Sequence, residues 1–349
     1  MTQAKPTERS VWKIDRAGRL DRLRRVTEPV GALSPDEVRV RVHAVGLNFA
    51  DVFALAGLYS ATPEGAFIPG LEVCGEVLEV GSAVTEGPTV GDRVMGVTRF
   101  GGYVDQLDLL PSRLRRLPEG WSYEQGAAFP VQTLTAWYGL SALGALQSGQ
   151  RVLVHSAAGG VGLQALAICR KLGAEVIGTV GSESKRAFLH ERGYEQVIVR
   201  GRDFDGRLRE ALNGEPLHLV LDAVGGAVQR TSFDALAPTG RLVVFGAAEF
   251  APGKRRPRYL SSLWKYLRRP RYDPLELIPA NRSVMAFNLI WLWEEEPLLL
   301  RLAGEIEELG LDVPHVGKVF PFADAPAALE HLRGGRSIGK VVLTVGAGY

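Results

Sequence analysis

Cysteine is nearly absent from this chain. Two in 349 residues, Cys74 and Cys169, exclude a disulfide framework and a four-thiolate zinc lobe, and both thiols are expected to be reduced. Excess charge of one sign is lacking too: 41 Lys and Arg against 39 Asp and Glu leave a formal +2, too little by itself to imply a nucleic-acid partner. No apolar run approaches bilayer-spanning length, and the opening MTQAKPTERS holds no apolar stretch of signal-peptide size, so the expected compartment is cytoplasmic. The six histidines are scattered without ligand spacing, and no metal is expected. Internal repeats and low-complexity tracts are also missing. What is there, 46% hydrophobic and 23% charged residues, is an ordinary globular composition with room for two domains.

Strict alternation of Val38, Val40, Val42 and Ala44 fits a half-buried strand. EVCGEVLEVG and DRVMGVTRFGGYVDQLDL continue as short strands between turns containing Gly and Pro. The first third therefore reads as a β-rich, barrel-like domain. Beyond Pro118 to Gln125 the pattern changes: RVLVH, EVIGTV, QVIV, LHLVLDAV, RLVVFGA and SVMAFNLIWL are short apolar runs separated by helical stretches. Such repetition implies a parallel sheet with right-handed crossovers. The expected fold class is α/β, a doubly wound parallel sheet beside a β-rich domain. The first domain is placed at 1–127, completed by 294–349, and the second at 128–293. FADAPAALEHLRGGRSIGKVVLTV reads as a helix closed at Gly334 and a strand that returns to the first domain.

The stretch HSAAGGVGLQALAICRKLG carries Ala157, Gly159 and Gly162 at the positions of a dinucleotide-binding fingerprint, with alanine for the first glycine. Ala158, Gly159, Gly160, Val161 and Gly162 would let a pyrophosphate approach the backbone, where the following helix offers amide donors and the positive end of its dipole. Gly173 stands where a helix C-cap would. NAD enzymes usually place Asp or Glu about 20 residues further on, to receive the ribose hydroxyls. Here TVGSESKRAF has Gly181 at that point, with Ser182 and Lys185 close by. The missing carboxylate favours NADPH, whose 2′-phosphate Lys185 would partly neutralise. Glu183 argues against it, and Lys185 taken alone reads more readily as a solvated helix residue.

VGLNFADVFALAGLY, PGLEVCGEVLEVG, GDRVMG, FPVQTLTAWYGL, VHSAAGGVGLQALAICRKLGAEVIGTVGSESK, VLDAVGG, GRLVVFGAA and SIGKVVL follow one another in this order. Together they resemble the medium-chain dehydrogenase/reductase superfamily over nearly the whole chain, and within it the zinc-independent quinone oxidoreductase branch. NFAD, ANRSVMAFNL and the long insert before it are most similar to the vesicle amine transport protein-like subgroup. The resemblance implies a GroES-like catalytic domain and a Rossmann cofactor-binding domain. Zinc members carry Cys-His and His-Glu where this chain has Asn48-Phe49 and Leu71-Glu72. Amide, phenyl and isobutyl groups are not zinc ligands, and a lone Glu72 is no site.

Carried over by motif, the asparagine and two tyrosines that line the nicotinamide region of quinone oxidoreductases become Asn48, Phe53 and Tyr59, with one phenol lost at Phe53. Tyr59 and Asn48 are the catalytic candidates. Tyr59 would serve as oxyanion donor or stacking surface, with a tyrosine packed at a turn as an equal alternative. Asp51 reads as a helix-entry or buried structural carboxylate before it reads as a general base. The resemblance also points to Asn48, Thr135, Gly246 and Asn288 as contacts to the nicotinamide half of the cofactor; for the last three a structural hydroxyl, a turn glycine and a capping amide are the alternatives. Arg200 follows QVIV, where relatives often place a tyrosine against the adenosine phosphate, and would pair with a 2′-phosphate or stand exposed.

The implied activity is zinc-independent, NADPH-dependent hydride transfer to a quinone or an α,β-unsaturated carbonyl compound, by a homodimer joined through VMAFNLIWLW. The rival reading is a weakly or non-catalytic NADPH-binding protein with a membrane-surface or regulatory role; a third is an enoyl-thioester reductase. Residues 254–271 hold eight Lys or Arg interleaved with Tyr259, Leu260, Trp264, Tyr266 and Leu267. For this insert, a lid or subunit contact ranks first, peripheral membrane contact second and nucleic acid last.

Overall fold

The computed structural model describes residues 8–250 and 267–346, which fall into two units, 1–131 with 313–349 and 132–312. The first unit is built on β3 (Val38–Gly46), whose alternating valines are buried as their period of two requires. β4 (Glu72–Val80) and β6 (Gln106–Leu109) both pair antiparallel with it. β5 (Arg93–Val97) and β7 (Leu114–Arg116) extend the sheet beyond β4, and β1 (Glu8–Lys13) and β2 (Arg24–Pro29) form a separate ribbon. At its end the chain returns to this unit. A helix Ala325–Arg333 is capped by Gly334, β14 spans Val316–Pro321, and β15 (Lys340–Thr344) lies antiparallel to β3 with Leu343 opposite Val45.

The second unit is a six-stranded, all-parallel sheet in the order β10-β9-β8-β11-β12-β13. Its strands are β8 (Arg151–His155), β9 (Glu175–Val180), β10 (Val197–Val199), β11 (Leu217–Asp222), β12 (Leu236–Val244) and β13 (Ser283–Ala286). The first four connections carry α4 (Gly160–Lys171), α5 (Glu183–His190), α6 (Phe204–Leu212) and α7 (Gly226–Asp234). Buried runs such as Leu219 to Leu221 suit strands covered on both faces. β8 and β11 are adjacent although β9 and β10 lie on the other side of β8, so the strand order reverses between them. Ligands of such sheets gather at that reversal.

Three boundaries differ from expectation. Val131 donates its N–H to Glu72 Oε2 at 2.9 Å, which holds residues up to 131 in the first unit. The returning segment starts at 313 rather than 294, because the helix Glu296–Leu309 stays with the second unit; there Trp137 Nε1 donates to Glu305 Oε2 at 2.7 Å. The run SVMAFNLIWL is a strand only to Ala286, and a 3-10 turn, Leu289–Leu292, follows Asn288. The basic insert lies outside the described residues from 251 to 266. Among the described residues no helix is long and apolar enough to cross a membrane.

Candidate active site

In the second unit, Ala158 to Gly162, Gly181 to Lys185, Arg200, Gly246 and Asn288 all follow the carboxyl ends of parallel strands, β8, β9, β10, β12 and β13 respectively. The exception is Thr135, which is buried on α3 (Pro130–Trp137). The turn after β8 is tight: Ser156 has φ 54° and its carbonyl accepts from Gly159 N at 2.8 Å. A Cβ on Gly162 would lie 2.3 Å from that carbonyl oxygen, so only glycine lets α4 start so close to the strand. Gly159 is the N-cap and brings no side-chain acceptor, which leaves the first-turn amides of α4 available to an anion. This cradle fits a dinucleotide pyrophosphate. Gly162→Ala is expected to weaken nicotinamide dinucleotide binding by at least about 10-fold, because opening the turn costs on the order of 1–3 kcal/mol. Calorimetric titration of the variant checks it; unchanged affinity would show that the turn does not touch the ligand.

Around Gly181 the chain gathers cations. A Cβ built there meets Arg200 Nη2 at 3.7 Å, and Arg200 Nη1 donates to Thr179 Oγ1 at 2.8 Å and to Thr179 O at 3.2 Å. Burial and the Arg200 charge both push the Lys185 ammonium down from its ordinary value. Glu183, which argued against a phosphate, is drawn to Arg186 at 2.8 Å along its own helix. Asp222, buried at the end of β11, accepts from Val224 N, Gly225 N and the Gln229 amide. Among the described residues no carboxylate stands within ion-pair distance of Arg200. Positive charge gathered at the end of β9, from Arg200 beside Gly181 and from Lys185 near enough to feel it, favours a doubly charged anion there.

In the first unit, the place that the sequence resemblance assigns to zinc ligands is filled by an ion pair. Lys340, 4% exposed, reaches from β15 to contact the fully buried Glu72 Oε1, and its Nζ also donates to Asn48 Oδ1 at 2.7 Å. Asn48 Nδ2 donates to Glu72 Oε1 at 2.9 Å and to Gly46 O at 3.3 Å. Both amide hydrogens of Asn48 are thus committed inside the unit, and its Oδ1, which accepts from Lys340 Nζ, also takes the Asp51 N–H in the capping box of α1. A Cβ on Gly46 would fall 2.0 Å from Ala127 O and 2.8 Å from Glu72 Cγ, so glycine is what lets the end of β3 close over this pair. A zinc ion does not fit here, since an ammonium already occupies the oxygen donors and no thiolate or imidazole adjoins them. No group of three or more His, Cys, Asp or Glu able to hold a metal occurs among the described residues. Sequence reasoning passed over Lys340, although a lysine inside the apolar run IGKVVL was a visible signal.

Asp51 caps α1 (Phe49–Leu55), accepting from Asn48 N at 2.7 Å, Gly70 N at 3.2 Å and the Tyr103 hydroxyl at 3.2 Å. It is the buried structural carboxylate that the sequence favoured over a base. Burial raises it from 3.8 to about 6, against the pull of those donors and of Lys340. Between these values the folded state therefore holds a proton that the unfolded chain releases. This group's contribution to stability is full below pH 3.8 and falls, by up to about 3 kcal/mol, as pH rises through 6. Thermal melts of Asp51→Asn between about pH 4 and 7 are expected to lack that decline relative to wild type; parallel profiles would refute it. Tyr59, half-buried, packs against the core of this unit at a turn where its carbonyl accepts from Thr62 N at 3.0 Å and from Thr62 Oγ1 at 2.7 Å.

Comparisons with known proteins agree with this division. A family model described as zinc-binding dehydrogenase matches residues 160–268, and one described as alcohol dehydrogenase GroES-like domain matches residues 34–106. The synaptic vesicle membrane protein VAT-1 homolog of Homo sapiens is 32% identical over 336 residues, covering 94% of this chain and 84% of that one. The chain spans 65% of the Danio rerio counterpart. Among solved structures, the quinone oxidoreductase of Thermus thermophilus, whose complex with NADPH is also described, is 32% identical with a TM-score of 0.77, covering 96% of this chain and 100% of that one. The CurK enoyl reductase is 29% identical with a TM-score of 0.82, covering 96% of this chain and 99% of that one.

Proposed function

The chain belongs to the medium-chain dehydrogenase/reductase superfamily, in its quinone oxidoreductase and VAT-1-like branch, and on that premise we propose that it is an NADPH-dependent, metal-free reductase of quinones or α,β-unsaturated carbonyl compounds. The observation that carries the cofactor choice is the Arg200 guanidinium beside Gly181, where an NAD enzyme would present a carboxylate, with Lys185 on the helix that follows. Bound at this unit, NADPH would supply the hydride. The chain's own part is to hold the pyrophosphate on the first-turn amides of α4, through Gly159 to Gly162, and the 2′-phosphate on Arg200, Lys185 and Ser182. Gly246, Thr135 and Asn288 are assigned to the nicotinamide half. Negative charge that develops on the substrate oxygen calls for a donor, and Tyr59 is the hydroxyl proposed for it. Asn48, whose amide is engaged by Lys340, Glu72 and Gly46, is proposed to line the nicotinamide region by packing rather than by a hydrogen bond to the substrate. The names of the quinone oxidoreductase and enoyl reductase neighbours support this reaction class. β13, at the edge of its sheet, is the proposed seam of a homodimer.

Anaerobic consumption of NADPH, with NADH as comparator, across ortho-quinones, para-quinones and short enals tests the reading. Saturable turnover with NADPH preferred supports it; binding without turnover of any acceptor overturns it.

One observation favours a second role at a membrane surface. Leu267, Leu275 and Ile278 are 56%, 75% and 69% exposed in the same stretch of sequence as Arg268, Arg269 and Arg271. The relatives' description as vesicle membrane proteins is consistent with this. Exchange of the three arginines for glutamine is expected to reduce sedimentation with anionic liposomes, each basic residue contributing about 1 kcal/mol near the lipid. Equal sedimentation of both forms would end this reading.

A further inference from the structure

Arg200 is the outer end of a buried chain of hydrogen bonds. Its Nη1 donates to Thr179 Oγ1 at 2.8 Å, Thr179 Oγ1 lies 2.8 Å from His155 Nδ1, and His155 Nε2 lies 2.9 Å from Ser232 Oγ. Ser232 Oγ donates in turn to Val228 O at 2.8 Å on α7. His155, Thr179 and Ser232 are at most 1% exposed. The proton positions follow from satisfaction of every group. Ser232 has one hydroxyl proton and gives it to Val228 O, so it accepts from His155, and Nε2 carries the ring proton. Nδ1 is then an acceptor and takes the Thr179 proton, which leaves Thr179 Oγ1 a lone pair for Arg200. In the other tautomer the Thr179 proton would lose its partner, while Val228 O would keep only the backbone N–H of its own helix.

The chain also joins Arg200 to the glycine turn. Thr179 O accepts from Ala157 N at 3.0 Å as well as from Arg200 Nη1 at 3.2 Å, and Arg200 N donates to Val180 O at 2.8 Å. A guanidinium on a long flexible stem is thereby held at both ends, with Nη2 directed along Gly181. His155, which accepts from Thr179, must be neutral for this to work. A protonated imidazole would donate from both nitrogens, would strip Thr179 of its acceptor and would repel the arginine.

We infer that Thr179, held by His155 and Ser232, is a positioning residue that sets the Arg200 guanidinium for a phosphomonoester on the adenosine ribose. The inference rests on the NADPH reading and deepens it: discrimination for the 2′-phosphate depends on a threonine, a histidine and a serine that never touch the ligand. Thr179→Val keeps the shape and the backbone carbonyl but removes the hydroxyl link. Thr179→Ser keeps the link.

Calorimetric titration with 2′,5′-ADP and with 5′-AMP separates the two levels. Wild type is expected to prefer 2′,5′-ADP. Thr179→Val is expected to lose about 10-fold of that preference, the equivalent of one charge-assisted hydrogen bond, with 5′-AMP affinity unchanged, and Thr179→Ser to retain it. Should Thr179→Val fail to fold, Ser232→Ala, which removes the acceptor beneath His155, is expected to shift the same ratio in the same direction. A wild-type preference that survives in Thr179→Val, or in Ser232→Ala where that variant stands in, overturns the positioning role and leaves the NADPH reading standing. No preference in wild type overturns both.

Discussion

Lys340→Met is expected to lower the unfolding free energy by about 3–5 kcal/mol, because it leaves the fully buried Glu72 carboxylate without its cation. Two donors would remain, Asn48 Nδ2 and Val131 N, each at 2.9 Å, and they satisfy hydrogen bonds without balancing the charge. Adding Glu72→Gln to the same chain is expected to recover most of the loss, since an amide oxygen can still accept from Asn48 or Val131 and no buried charge is left over. Urea unfolding of wild type, both single variants and the double variant measures the coupling directly. A single Lys340→Met change within about 1 kcal/mol of wild type would mean that Glu72 is relieved in some other way. The same experiment bears on the metal-free reading, because this ion pair occupies the place of a ligand set.

A second large effect lies at acid pH and belongs to His155. Burial, with the Arg200 charge adding to it, lowers this imidazole from 6.5 to about 3. Between those values the unfolded chain binds a proton that the folded protein refuses. The stability contributed is therefore full above pH 6.5 and is lost as pH falls, by up to about 5 kcal/mol at pH 3. Asp51 works in the opposite direction over much of the same range. The difference between wild type and His155→Gln is what isolates the imidazole: a glutamine can accept and donate at similar positions but does not titrate. Wild type is expected to lose more stability than His155→Gln between about pH 6.5 and 4 in denaturant titrations. Parallel curves for the two would show that the imidazole does not titrate on unfolding.

Much of the architecture was legible before any coordinates. The six apolar runs from RVLVH to SVMAFNLIWL each contain one of the six parallel strands; the central ones are apolar throughout because both faces are buried, whereas the last, β13, is a partly exposed edge strand that stops at Ala286. The alternation at Val38 to Ala44 is β3, buried on one side. Gly162 and the small residues before it could be read as a close approach of backbone, and Gly173, with φ 70°, follows α4 as its chain-terminating glycine. Glu183 counted against a phosphate on paper, although its spacing of three residues from Arg186 on a helix already allowed the ion pair that the structure shows.

What the sequence by itself determined is local and periodic: which segments are strands or helices, where the dinucleotide turn falls, and that β9 ends without a carboxylate. Tertiary structure alone decided the partners. Lys340 meets Glu72 across 268 residues of chain, and His155 meets Ser232 across 77. Neither pairing has a period or a spacing to betray it. The physical reason lies in the cost of burial. A charge or a polar ring inside a protein must find a partner, and the sequence shows that such a residue sits in an apolar run without showing which distant group the fold brings to it.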